Sequence, residues 1–302
     1  MAAWGRHSFG RRTVSGMTLS PPRSVLVWSG AISLLVIVSS VAGLADPGVY
    51  GQETQNWATQ AKGQDLGNLL AVVVLIVAAL RYRRGSQQAG LVWLGTLLYL
   101  IYAFVVYAMA VHLNYLFLAY VAALGLSAWA VIFHVNRMRG GSLQYPQGRA
   151  STGAAWVIIG IGVLFAGLWL SELVPALVSG RVPVSLAEAG LWVNPIHVID
   201  LSIVLPGFIV AGVAALGRRE HGLFWLAPWL VFASLMGSSI LAAMALMMMA
   251  GATSSAPATV MVSIVVAASL LAVWRYLKGS TPLEPRIPHP LRATQATGPI
   301  ND

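Results

Sequence analysis

The sequence predicts an all-α integral membrane protein of about eight transmembrane helices, built as two parallel four-helix repeats. Three observations lead there: a composition too apolar for water, eight apolar runs of spanning length, and basic residues confined to alternate loops. The 302 residues are 58% hydrophobic and 9% charged, with a mean hydropathy of +0.76. A soluble domain carries about 25% charged residues, so most of this surface faces lipid. Cysteine is absent from the sequence, which excludes disulfides, thiolate metal sites and a cysteine nucleophile.

A hydrocarbon core about 30 Å thick needs roughly 20 apolar residues per helix. Taken in order, the runs lie at about 24–44, 65–80, 89–111, 113–133, 154–178, 195–216, 223–250 and 257–274. The second is short, and a tight turn at Val111–Tyr115 joins the third to the fourth. Six or seven spans is the rival count, if one run is re-entrant. Arg11-Arg12 resembles a twin-arginine signal, with Ala42–Ala45 as its cleavage site. The first run exceeds the 7–15 residues of a signal h-region, so a retained first helix is expected, with Met17 as an alternative start.

The expected organisation is an N-terminal tail (1–22), a first half (23–140), a linker (141–153), a second half (154–278) and a disordered, proline-rich tail (279–302). Eight spans put every lysine and arginine except Lys62 and Arg181 on one side. The positive-inside rule makes that side cytoplasmic, with both termini there, in the inner membrane of a bacterium. It also explains the net charge of +9 without nucleic acid. Trp57 and Trp192 outside, and Trp4, Trp225 and Trp274 inside, are expected as interfacial anchors.

The two halves repeat one plan. Each has a long outer loop (45–64 and 179–194), then a helix opening Asp65-Leu66 or Asp200-Leu201 and ending Ala-Ala-Leu at 78–80 or 214–216. A basic turn follows, then Gly90-Leu-Val-Trp-Leu94 or Gly222-Leu-Phe-Trp-Leu226. The second half holds one extra residue between its Asp-Leu and its Ala-Ala-Leu. Four spans per half make the repeat parallel, about an axis along the bilayer normal.

Acids inside a bilayer are costly and commonly face a bundle interior or a cavity. Counted from the basic turns at about 1.5 Å per residue, Asp65 and Asp200 lie several ångströms inside the outer boundary. Glu172, before Pro175, lies roughly 9 Å inside its helix end. A shared polar layer of three carboxyls is therefore expected. The most specific pattern is Asn194-Pro195-x-His197-x-x-Asp200. Asn194 suits an N-cap and Pro195 the first helical position, and His197 and Asp200 fall on one helix face. The carboxylate could orient the imidazole, or the pair could supply two metal ligands; the plainer reading is a helix start reaching interfacial water.

Asp65 and Asn68 likewise share a face, after Gln64. Their plain reading is complementing the dipole of a helix N-terminus. His112 and Asn114 lie at the tight outer turn. Tyr99, Tyr102 and Tyr107 precede it and read as an aromatic belt. Met244 and Met248, spaced for soft copper, read as apolar packing beside Met247 and Met249. His134 and His221 are expected in solvated turns. No Walker A, GxGxxG, HExxH or GxSxG sequence is present and no predicted span holds a lysine, so no cofactor is expected.

Gly63-Gln-Asp65-Leu, His112-Leu-Asn114-Tyr-Leu-Phe-Leu-Ala-Tyr120 and Asn194-Pro-Ile-His197-Val-Ile-Asp200-Leu together resemble uncharacterised bacterial multi-pass membrane proteins, over residues about 50–250. The resemblance implies no activity. The functional expectation is a transporter or ligand-binding membrane protein, taking a small molecule or ion at a carboxylate and histidine site in the outer bilayer. The alternatives are an intramembrane metal-dependent hydrolase or lipid-modifying enzyme, in which His197, Asp200, Asp65 and His112 bind metal, and a structural subunit of a membrane complex. The sequence leaves the oligomeric state open.

Overall fold

The structure is a computed structural model that describes residues 24–139, 143–251 and 256–282. Expectations for the first 23 residues, including Trp4 and the alternative start, and for the tail beyond 282 lie outside the described residues. Among the described residues, eight helical spans are long and apolar enough to cross a bilayer. They comprise α1 (Ser24–Ala45), α2 (Gln55–Arg83), α3 (Gln87–Ala110), α4 (Phe117–Arg139) and α5 (Arg149–Ser179). After the short α6 (Val184–Ala189), the sixth span joins α7 (Pro195–Ile199), a π-helical turn (Asp200–Val204) and α8 (Leu205–Leu216). Then come α9 (Glu220–Met249) and α10 (Ala256–Lys278). Two short strands, β1 (Leu143–Gln144) and β2 (Thr281–Pro282), pair antiparallel beside the basic turns. The chain is an all-α multi-pass membrane protein.

Helix starts follow local chemistry. Thr54 caps α2 by accepting from the Trp57 backbone N–H, and Ser86 caps α3 through the N–H of Ala89. Asn194 accepts from the Ile196 N–H ahead of Pro195, as its sequence predicts. The second span corrects the expected short helix at 65–80. It begins at Gln55 and holds 29 residues, about 44 Å of helix. Polar residues fill its first turns, so an apolar window misses them. Lys62 and Trp57 are therefore helical, not loop residues.

Each half forms the same ring. The first span packs on the second, the second on the third, the third on the fourth and the fourth on the first; spans five to eight repeat that order. The ring lines up with the sequence repeat, and the extra residue of the second half falls where the π turn lies. There the Leu205 N–H bonds to the Asp200 carbonyl, five residues back. A π turn absorbs one extra residue without breaking the helix.

The halves meet along the second and seventh spans. Gly63 and Gly67, four apart on α2, face Ala243 and Ser239, four apart on α9. A Cβ on Gly63 would collide with the Ala243 backbone, and one on Gly67 with Ser239 and the Tyr99 hydroxyl. Small residues at this spacing let membrane helices approach closely. The third and seventh spans also pack, with Gly95 against the Pro228 carbonyl. Internal symmetry would pair the sixth span with the third as closely as the second pairs with the seventh. It does not: they touch chiefly through α7, and a cavity lies between them.

Candidate functional site

The site grows from two aspartates in equivalent sequence positions with unlike surroundings. Asp65 is sealed inside the first half, with 1% of its surface exposed. Tyr50 donates to Oδ2 at 2.7 Å and Tyr107 to Oδ1 at 2.8 Å. Tyr50 comes from the 46–54 loop, whose Val49 and Tyr50 are buried. Gly43 lets this happen, since a Cβ there would meet the Asp65 carboxylate and the Tyr50 hydroxyl. Asp65 thus lies well inside a long helix, and the expected role at a helix N-terminus is corrected.

Asn68 extends this polar network. It accepts from Tyr99 at 3.1 Å and Gln64 at 3.3 Å, and donates to Ser40 at 3.4 Å. Gln64 also donates to Tyr99 at 2.6 Å and accepts from Ser239 of the second half at 3.1 Å. Tyr99, Tyr102 and Tyr107 are buried, so they form no interfacial belt; their hydroxyls serve side chains inside the bundle.

Asp200 occupies the other setting. It is mostly buried, yet its residue lines a cavity of about 420 Å³ between the halves. Trp169 donates its indole N–H to Oδ2 at 2.8 Å, and the Tyr102 hydroxyl lies within interaction range. The floor is aromatic. Tyr102 meets Phe232 edge-on at 5.5 Å, and Phe232 meets Phe208 at 5.9 Å. Across the cavity, Asn56, Gln60 and Gln64 recur every fourth residue on one face of α2, with Gln60 donating to Asn56 at 2.9 Å. This amide ladder climbs to the face away from the basic turns, where Asn56 and Met247 also border a shallow depression with Glu188.

The remaining candidates stand elsewhere. His197 shares a helix face with Asp200, but its ring packs on Trp169, centroids 4.7 Å apart, and Trp169 bonds the carboxylate. The His197 Nε2 is buried without a hydrogen-bond partner. Glu172 accepts from the Ser185 backbone N–H at 3.2 Å, so it caps α6, which has no side-chain cap of its own. His112 binds Glu53 through Nδ1 at 3.0 Å and through its backbone N–H at 2.7 Å. Asn114 donates to the Val49 carbonyl at 3.2 Å and accepts from the Leu116 N–H. Both residues tie the 46–54 loop to the α3–α4 turn.

Asp65, Glu172 and Asp200 do not converge on one site, since each has its own set of partners. One acid lies within the first half, one beneath α6 and one on the cavity. The expected metal set of His197, Asp200, Asp65 and His112 is dispersed too, and no group of three His, Asp or Glu residues suited to a metal occurs among the described residues.

Three smaller expectations change. Trp57 is buried and donates to the Ala110 carbonyl at 2.6 Å, whereas Trp192 is exposed as expected. His134 is buried, bonding the Ala130 carbonyl at 2.8 Å and Ser24 at 3.1 Å, while His221 is exposed. Met244 lines the cavity with Met247, while Met248 points away and is exposed.

Sequence reasoning missed Tyr50, Trp169, Gln60 and Asn56 as site residues. The amide ladder had a legible signal in its four-residue spacing, but it lay in a stretch read as loop. No protein-family model, curated protein or solved structure matches the chain, so the reading of its function rests on this geometry.

Proposed function

We propose that the protein is a transporter or ligand-binding membrane protein whose site is the cavity between its halves, with Asp200 as the charged group. One juxtaposition carries this reading. A buried carboxylate on a π-helical turn borders a cavity at the point where the two halves fail to pack symmetrically. Pockets of about 300–1,000 Å³ with few polar groups suit small ligands, and π turns recur at functional sites. Asp65, at the equivalent position, is closed off by Tyr50 and Tyr107 and is the structural counterpart.

The halves are proposed to descend from one duplicated four-helix unit. Its supports are the common ring of contacts and the single residue taken up by the π turn. Rocking of the sixth span onto the third would restore the symmetric packing and occlude the cavity. That is the alternating-access motion of parallel repeats, with the π turn as its pivot. The basic face is assigned to the cytoplasm. A bacterial inner membrane follows from the resemblance of the chain.

The test is complementation of a deletion strain across growth and uptake assays. Asp200→Asn is expected to reproduce the deletion phenotype, and Glu172→Gln to complement it. Full complementation by Asp200→Asn would remove the cavity from the function.

A further inference from the structure

We infer that the cavity selects an apolar organic cation, such as an amine on an aromatic or alkyl body; this rests on the cavity being the ligand site. Among the described residues lining it, Asp200 is the only acid, and none is lysine, arginine or histidine. The carboxylate therefore has no basic side chain beside it in the cavity. Trp169 supplies a neutral hydrogen-bond donor, which orients the carboxylate without neutralising it. A nearby cation favours the charged form of a carboxylate removed from water, and the described residues lining the cavity leave that part to the ligand.

The rest of the wall agrees with that charge. Trp169, Phe165, Phe208 and Phe232 offer ring faces or edges around the cavity. Aromatic faces attract ammonium groups and bury apolar bodies. An anion would meet Asp200 with no basic partner. A sugar would leave its hydroxyls against Phe, Val and Met over most of the wall. The amide ladder of Asn56, Gln60 and Gln64 gives a charged headgroup a polar route from the far face to Asp200.

Three probes with one carbon skeleton separate charge from shape: phenylbutylamine, phenylbutanol and phenylbutyrate. Binding is measured calorimetrically on the purified full chain in nanodiscs at neutral pH. The amine is expected to bind at least about tenfold more tightly than the alcohol, and the acid most weakly. Asp200→Asn should erase the advantage of the amine while leaving the affinity for the alcohol within about twofold. Ile240→Trp, which fills the cavity, should weaken both.

If the alcohol binds as tightly as the amine and Ile240→Trp abolishes both, the cation assignment falls and the cavity stands as a ligand site. An amine preference that survives Asp200→Asn overturns the assignment of the charge to that residue. Binding of none of the three overturns the cation and the cavity together.

Discussion

The Tyr107 hydroxyl donates to Asp65 at 2.8 Å from a ring that also lines the cavity, so one residue divides the sealed carboxylate from the open one. Tyr107→Phe keeps the ring and removes the donor. A hydrogen bond to a buried acid contributes about 1–3 kcal/mol, and a loss of that size is expected in thermal unfolding of the purified protein. Gly43→Ala should cost at least as much, because its methyl group meets the same carboxylate. Wild-type stability in both variants would show that the Asp65 site does not hold the first half together.

The seam between halves depends on Gly63 and Gly67. Gly63→Leu forces a side chain into the Ala243 backbone, an overpacking that typically costs about 1–3 kcal/mol. Gly125→Ala is the control, since an added Cβ there meets nothing; alanine is favoured over glycine within a helix by roughly 0.5–1 kcal/mol. The melting temperature should fall for the first and hold or rise for the second. Equal effects would argue against close packing of α2 on α9.

The π turn makes a separable prediction. Deleting Ile203, which is exposed, removes the residue that the π turn absorbs and leaves a continuous α-helix whose flanking segments stay in phase. Asp200 keeps its face, but the pivot is gone. The variant should insert with eight spans, retain ligand binding and fail complementation. Full complementation would show that the π turn is not needed as a pivot.

Outside the spans, Asp46 accepts from the Tyr115 hydroxyl at 2.7 Å and from the Gly48 N–H at 2.8 Å. These bonds, Tyr115 first, hold the carboxyl below its usual value. Its contribution is therefore present above the ordinary carboxylate range and is lost as pH falls through the lowered folded value. Tyr115→Phe should move the Asp46 titration upward, read by carboxyl-carbon NMR. An unmoved titration would contradict that bond.

Much of the architecture was legible because it depends on local composition. Apolar runs, basic turns and the Asn194-Pro195 helix start are properties of neighbouring residues. The extra residue before Ala214 was also visible, though only the fold ties it to a π turn. Which acids share a site was not legible. The partners of Asp65 come from the 46–54 loop and α3, and the exposure of Asp200 arises from spans that fail to meet. Both depend on contacts across the bundle. Reading 45–64 as loop hid the amide ladder and the Gly63–Gly67 seam, since an apolar window passes over the polar start of a long helix.

Because the native chain has no cysteine, single-cysteine labelling with a membrane-impermeant maleimide tests the cavity most directly. Cysteines at Gln60, Val106 and Met247, which line it, are expected to label from the face carrying the 46–54 loop. Those at Ala71 and Ala123, buried away from it, should stay unlabelled. If all five are equally protected, there is no open cavity beside Asp200, and the account of a ligand site between the halves is contradicted.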